Sequence, residues 1–194
     1  MARKDEILAA VIAKFKEEGF STDLTISQIA KIVDIGKSTI YEYFNTKDDV
    51  FKEALLKISN DSIDEIINIG DIDEMGFEEA FKTQLSKILE VSKKSRMVYQ
   101  IFSKDFMHRM PMSIRDDLKK KMEDTRMIIG KRFALIFQKG IQEKLVLNNQ
   151  NPSTNIIFSS LIVGAVFRYS NSKLDIPIEE LVNEMYKAIL KIAS

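Results

Sequence analysis

The scarcity of helix-breaking residues is the feature that most restricts the fold of this chain. Only three prolines and seven glycines occur in 194 residues, and almost every segment between them repeats its apolar residues with a period near 3.6. That period places the apolar side chains on one face of a helix. Since 45% of the residues are apolar, such helices can bury a core. The sequence therefore predicts an all-α protein of about nine helices.

The first four predicted helices have recognisable end signals. Gly19 suits the end of the first helix, with Phe20 closing over it. Thr25 and Thr46 can each cap the start of a helix with a hydroxyl group. A short break at residues 34–36 separates the second helix from the third. The predicted helices cover about residues 4–18, 25–33 and 37–44, and the fourth starts at residue 46 or 47.

The rest of the chain predicts longer helices separated by polar breaks. Pro111 and Gly140 interrupt the pattern, and Pro152 sits where the start of a helix favours proline. The predicted helices lie at about residues 77–91, 97–107, 114–139, 153–171 and 176–192.

Two short helices joined by a tight turn, at residues 25–44, have the arrangement of a helix-turn-helix motif. In that motif the second helix lies in the major groove of DNA. Ile40 and Phe44 are four residues apart and would hold this helix to the core. Its other side chains include four that can hydrogen-bond to DNA, namely Lys37, Ser38, Thr39 and Tyr41.

Residues 5–55 resemble the N-terminal domain of the TetR/AcrR family of bacterial transcriptional regulators. The resemblance implies a DNA-binding head at residues 1–46, followed by a domain at residues 47–194 that dimerises and binds a small-molecule inducer. It rests on this pattern: Phe15…Gly19-Phe20…Thr25-Ile26-x-x-Ile29-Ala30…Lys37-Ser38-Thr39-Ile40-Tyr41-x-Tyr43-Phe44-x-x-Lys47.

The same resemblance implies roles for individual residues of the head. It places Lys37, Ser38 and Tyr43 at or near base edges. A symmetric dimer would hold two recognition helices about 34 Å apart and would bind a palindromic operator. The residues implied to contact phosphates are Thr25, Thr39, Tyr41 and Lys47.

Two positions depart from the usual family pattern. Asp34 stands where glycine is common, and aspartate tolerates the left-handed conformation that such a turn needs. Glu42 would repel phosphate or accept a hydrogen bond from cytosine. Residues 1–58 contain nine Lys or Arg and ten Asp or Glu, and the whole chain has zero net charge. DNA binding must therefore depend on the placement of a few groups rather than on a general positive field.

The last two predicted helices would form the dimer interface by the same resemblance. Ser160 and Gly164 are four residues apart and place small side chains on one face, which permits close helix approach. Packing within one chain is the alternative explanation. The other predicted interface residues are Phe167, Met185 and Ile189.

Methionine and aromatic residues are dense between residues 97 and 137. Most can be explained as a helical core, but a flexible lining of this kind also suits a pocket for a large apolar ligand. One of Arg96, Arg126 and Arg168 could pair with the anionic head of such a ligand, or with Glu90 or Glu123 instead, and Arg168 is assigned to the predicted pocket. The other predicted pocket residues are Tyr99, Phe102, Phe106, Met122 and Phe133.

The composition argues against an enzyme. There is no cysteine, and His108 is the only histidine, so we expect no thiolate chemistry and no transition-metal site. No glycine-rich phosphate loop occurs. Paired carboxylates such as Asp48-Asp49 fall in the first turns of predicted helices, where the helix dipole explains them. We therefore expect neither catalysis nor a cofactor.

No segment approaches the roughly 18 apolar residues of a membrane span, and the N-terminal helix lacks the apolar core of a signal peptide. We expect a cytoplasmic repressor that binds its operator as a homodimer and is released by a small apolar ligand. The neutral charge and Glu42 leave an alternative, in which a helical ligand-binding or scaffold protein uses its head to bind a protein partner.

Overall fold

The computed structural model describes residues 2–21, 23–94, 108, 110–147, 152–171 and 176–193. These residues form eight α-helices, one short 3₁₀ helix at Ile72–Glu74 and no strand, which confirms the all-α prediction. The helix predicted at residues 97–107 lies outside the described residues. The α-helices are α1 (Ala2–Glu18), α2 (Ile26–Val33), α3 (Lys37–Tyr41), α4 (Lys47–Ile67), α5 (Phe77–Lys94), α6 (Met112–Gln142), α7 (Pro152–Asn171) and α8 (Ile178–Ala193).

The third helix is shorter than predicted. It ends at Tyr41, and the backbone continues to Phe44 as a turn. In this turn the amides of Tyr43 and Phe44 both donate to the carbonyl oxygen of Ile40, at 3.1 and 3.0 Å. A carbonyl shared in this way tightens the end of a helix, so residues 42–44 keep the direction of α3 without extending it regularly.

The chain divides into two compact units, made of residues 1–62 with 97–124 and of residues 63–96 with 125–194. This division differs from the predicted boundary after residue 46. The reason is that Phe51 of α4 and Ile114 and Leu118 of α6 are buried in the same core as α1. The predicted boundary at residue 46 separates the DNA-binding head from the ligand-binding domain, and it stays a prediction.

Phe15, Phe20 and Phe51 form an aromatic cluster in the core of the first unit. The ring of Phe20 lies 4.9 Å from that of Phe15 and 5.8 Å from that of Phe51, measured between centroids. Gly19 has a φ of +82°, which favours glycine and turns the chain back over the end of α1. The predicted cap at Gly19 and the closing role of Phe20 are confirmed.

The core of the second unit is built around α5, which packs against α7 and α8. Phe77 begins α5, and its ring lies 5.8 Å from that of Phe137 and 5.7 Å from that of Tyr186. The backbone amide of Phe77 donates to Glu143 Oε1 at 2.7 Å. A side chain 66 residues away therefore caps this helix.

Gly140 on α6 provides a test of this packing. A Cβ atom there would lie 2.9 Å from Val146 Cγ2 and 3.0 Å from the ring of Phe77. We expect Gly140→Ala to lower the free energy of unfolding by about 1–3 kcal/mol, because it overpacks the core. Urea unfolding monitored by circular dichroism measures this change.

Gly130 is the matched control, since it lies on the same helix and an added Cβ would meet nothing within 4 Å. Gly130→Ala should raise stability by up to about 1 kcal/mol through helix propensity. Equal stability of the two variants would contradict the packing described for Gly140.

Candidate nucleic-acid interface

The turn between α2 and α3 is held by backbone hydrogen bonds. Asp34 adopts the left-handed conformation, with φ 55° and ψ 51°. Its amide donates to the carbonyl oxygens of Ala30 and Lys31. The amide of Ile35 donates to the carbonyl oxygen of Ala30 at 2.9 Å. The prediction that aspartate could make this turn in place of glycine is confirmed.

The start of α2 is a capping box formed by Thr25 and Gln28. The hydroxyl of Thr25 accepts from the amide of Gln28 at 3.3 Å, and Gln28 Oε1 accepts from the amide of Thr25 at 2.8 Å. The hydroxyl also donates to Gln28 Oε1. Thr25 therefore has a structural role at the helix terminus, and its contact with phosphate stays a prediction.

The start of α4 has a similar arrangement. Thr46 Oγ1 accepts from the amide of Asp49 at 3.1 Å, and Asp49 Oδ2 accepts from the amide of Thr46 at 3.0 Å. The predicted cap at Thr46 is confirmed. Lys47 follows it, half-buried, with Nζ 5.4 Å from the ring centroid of Phe51.

The segment from Lys37 to Phe44 has one buried side and one exposed side. Ile40 and Phe44 are 0% and 3% exposed and anchor the segment in the first core, as predicted. Tyr41 and Tyr43 are 52% and 37% exposed. Lys37, Ser38 and Glu42 are also exposed, and Thr39 is half-buried. The hydrogen-bonding side chains predicted to meet DNA thus lie mainly on the side away from the core.

Ion pairs neutralise several cations of the first unit. Lys4 Nζ lies 2.7 Å from a carboxylate oxygen of Glu53. A hydrogen bond to Glu6 raises the pKa of Arg3. Lys37 belongs to none of the ion pairs found within the described part of the chain. Its charge is therefore available at the start of α3.

Two sets of contacts in the first unit were not predicted from the sequence. Lys4 on α1 also places its Nζ 5.2 Å from the ring centroid of Phe44, so it links the helix-turn-helix segment to α1 and α4. At the start of α6, Ser113 donates to Asp48 Oδ2 at 2.9 Å. Both sets join residues far apart in the chain, and no local pattern reports such pairs.

Comparison with known proteins identifies this arrangement. Residues 7–54 match the family model described as "Bacterial regulatory proteins, tetR family". The chain is also 30% identical, over 135 residues, to the "Uncharacterized HTH-type transcriptional regulator YhgD" of Bacillus subtilis (strain 168); the match covers 63% of this chain and 68% of that protein. The chain belongs to the TetR family. It is a transcriptional regulator with a helix-turn-helix DNA-binding domain, and it is not an enzyme.

Solved structures share the fold of this TetR-family protein over nearly its full length. A TetR-family regulator from Rhodococcus sp. matches with a TM-score of 0.67 and 15% identity, covering 100% of both chains. The fatty acid degradation regulator FadR from Bacillus halodurans matches with a TM-score of 0.65 and 18% identity, covering 96% of this chain and 94% of that one. A regulator from Saccharomonospora viridis in complex with choline matches with a TM-score of 0.66 and 16% identity, over 97% and 95%. At these identities the likeness concerns the fold alone.

The predicted ligand-pocket residues are dispersed where the structure describes them. Met122 packs against the core of the first unit, whereas Phe133 is buried in the core of the second. Arg168 is exposed on α7. Two open clefts of about 530 and 360 Å³ on the second unit are lined by none of these three. Tyr99, Phe102 and Phe106 lie outside the described residues, so the pocket stays a prediction.

The predicted dimer-interface residues fall into two groups. Ser160, Gly164 and Phe167 are exposed on α7. Met185 and Ile189 are instead buried in the core of the second unit, because the side of α8 that carries them packs within its own chain. These two residues are 5% and 0% exposed in the single chain, and the dimer interface stays a prediction.

Within the described residues, every helix is too short or too polar to span a bilayer. None of the described His, Asp and Glu side chains form a group of three that could hold a metal ion. His108 is exposed.

Ile40 and Tyr41 are adjacent residues of α3, of which the first is buried and the second is exposed. We expect Ile40→Ala to lower the free energy of unfolding by about 2–5 kcal/mol, because it leaves a cavity in the core. Tyr41→Ala should change it by no more than about 0.5 kcal/mol. Thermal and urea unfolding measure both changes, and a larger loss for Tyr41→Ala would contradict the orientation of α3.

Proposed function

We propose that this regulator is a cytoplasmic repressor that binds a palindromic operator as a homodimer and leaves it when a small apolar ligand binds the C-terminal domain. The observation that carries the proposal is the two-sided segment from Lys37 to Phe44. Its apolar side is locked into the core, while its hydrogen-bonding side is exposed. Hydroxyl and ammonium groups held on a rigid surface suit phosphate and base contacts.

The proposed contacts divide into two groups. Lys37, Ser38 and Tyr43 would meet base edges and would provide sequence specificity. Glu42 lies among them and would weaken binding to phosphate, so affinity for unrelated DNA should be low. The residues proposed to contact phosphates are Thr25, Thr39, Tyr41 and Lys47.

Selection from a random duplex DNA library tests this proposal. The native protein should enrich an inverted repeat whose half-sites lie about one helical turn apart, or a multiple of it. The Lys37→Ala/Tyr41→Ala double variant should enrich nothing and still fold, because both side chains are exposed. Affinity for the enriched site should fall steeply with added salt.

Sequencing of the bound fragments provides the measurement, and circular dichroism checks the fold of the variant. If the native protein enriches no sequence at low salt after refolding has removed bound ligand, the head does not bind a DNA operator. That result would favour a protein partner for the head.

Dimerisation is proposed through α7. Ile156, Val163 and Phe167 are 64%, 67% and 50% exposed in the single chain. Gly164 lies between the last two, and an added Cβ there would meet nothing within 4 Å. A second copy packed on this face would bury the apolar side chains, and glycine would allow the helices to approach closely.

Gly164→Arg tests this interface. We expect the native chain to sediment as a dimer and the variant as a monomer, because an arginine side chain would separate the two helices. Gly130→Arg is the matched control, since it introduces the same side chain at another open glycine, and it should remain dimeric. Analytical ultracentrifugation measures both, and a dimeric Gly164→Arg variant would contradict this interface.

The proposed switch acts through α4, which contributes Phe51 to the first core and Ile66 to the second. A ligand that displaces α4 would change the spacing of the two recognition helices in the dimer. Only one head at a time could then dock, and affinity for the operator would fall. The solved relatives include one bound to choline and one named for fatty acid degradation. These two names refer to different chemistry and do not agree on a ligand class. The ligand class of this chain must therefore be inferred from its own residues.

A further inference from the structure

Arg132 on α6 carries a hydrogen-bonding group that the described part of its chain leaves unsatisfied. Its Nε donates to Gln84 Oε1 at 2.6 Å. Its Nη2 is buried, and no described atom accepts a hydrogen bond from it. A buried donor without an acceptor costs free energy comparable to a lost hydrogen bond, so native structures contain few of them.

Gln84 fixes the orientation of this arginine. It is fully buried on α5, and its Nε2 donates to the carbonyl oxygen of Ile66 at 3.1 Å. That carbonyl belongs to the last turn of α4, where no further helical amide is available to it. Because the amide nitrogen is engaged there, the amide oxygen points to Arg132 Nε. Nη2 of the guanidinium is left for another acceptor.

Among the described residues, no carboxylate pairs with Arg132. Burial lowers the pKa of its guanidinium, and no carboxylate acts in the opposite direction. Even so, an arginine remains protonated at neutral pH. Several residues near it along α6 and near Gln84 along α5 are apolar and buried, namely Phe81, Leu85, Ile88, Phe133 and Ile136. This is an uncompensated cation at the edge of an apolar core.

We propose that Arg132, oriented by Gln84, binds the carboxylate of an effector whose remaining part is apolar. A carboxylate matches the planar fork of a guanidinium and balances its single charge, while the adjacent side chains suit a hydrocarbon body. The proposal deepens the proposed function, because this acid would be the ligand that releases the operator. It replaces Arg168, which is exposed, as the residue that pairs with an anionic ligand head.

Binding of dodecanoate to the full chain, measured by calorimetry below its micellar concentration and without DNA, tests this site. Dodecan-1-ol has the same hydrocarbon chain and no charge. We expect dodecanoate to bind about 10- to 100-fold more tightly than the alcohol, as a charge-assisted bond to arginine implies. Arg132→Gln should abolish this preference. Arg132→Lys should retain part of it, because lysine keeps the charge but not the fork.

Lys131→Gln is the matched control, since it removes the same charge from the neighbouring exposed residue of α6 and should leave the preference intact. Equal affinity of the native protein for the two probes would overturn the proposal, and this result requires no variant. An equal effect of Lys131→Gln and Arg132→Gln would also overturn it. If Arg132→Gln fails to fold by circular dichroism, the Arg132→Lys variant decides, and an unchanged preference there counts against the site.

Operator binding, measured separately in the same buffer, distinguishes this inference from the function on which it rests. Operator binding without Arg132-dependent binding of dodecanoate would overturn the carboxylate site and leave the regulator function. Arg132-dependent binding of dodecanoate without any operator would overturn the proposed repressor function and leave the site.

Discussion

The burial of Ile40 and Phe44 is the interaction on which the DNA-binding head depends. A helix of five residues such as α3 cannot form stably alone, because nucleation costs more than so few hydrogen bonds return. The first core therefore has to hold it. Lys4 adds to this attachment through the ring of Phe44 and the carboxylate of Glu53. The orientation of the exposed tyrosines is thus set by packing beneath them rather than by the helix itself.

Features set by neighbouring residues could be predicted from the sequence. The left-handed Asp34, the cap at Thr46 and the cap at Gly19 each follow from the chemistry of one side chain and its local backbone. The contribution of α6 to the first core could not be predicted. Ile114 and Leu118 lie within a regular apolar pattern, and such a pattern shows only that a helix has a buried face. It does not show which distant helices cover that face.

The same limit applies to the residues predicted for the dimer interface, which stays a prediction. Helix α8 has one apolar side, and Met185 and Ile189 lie on the part of it that its own chain covers. Helix α7 carries apolar residues around more of its circumference, so Phe158 is buried while Val163 is 67% exposed. A helix that is apolar on two sides needs two partners. Excess apolar surface on α7 is therefore a better sequence signal for association than the pair of small residues alone.

The recognition of DNA and the recognition of an effector also differ in how far a sequence can predict them. Every operator presents phosphates and base edges, so the residues that meet DNA recur at set positions of one short segment. An effector imposes no such constant chemistry. Gln84 was detectable in the sequence as a polar residue in the apolar stripe of α5, but its partner Arg132 lies 48 residues away. Only the folded chain brings the two together, and the unsatisfied Nη2 is the feature that points to a ligand. The buried Nη2 without an acceptor is therefore a more specific guide to the proposed effector than the apolar residues beside it.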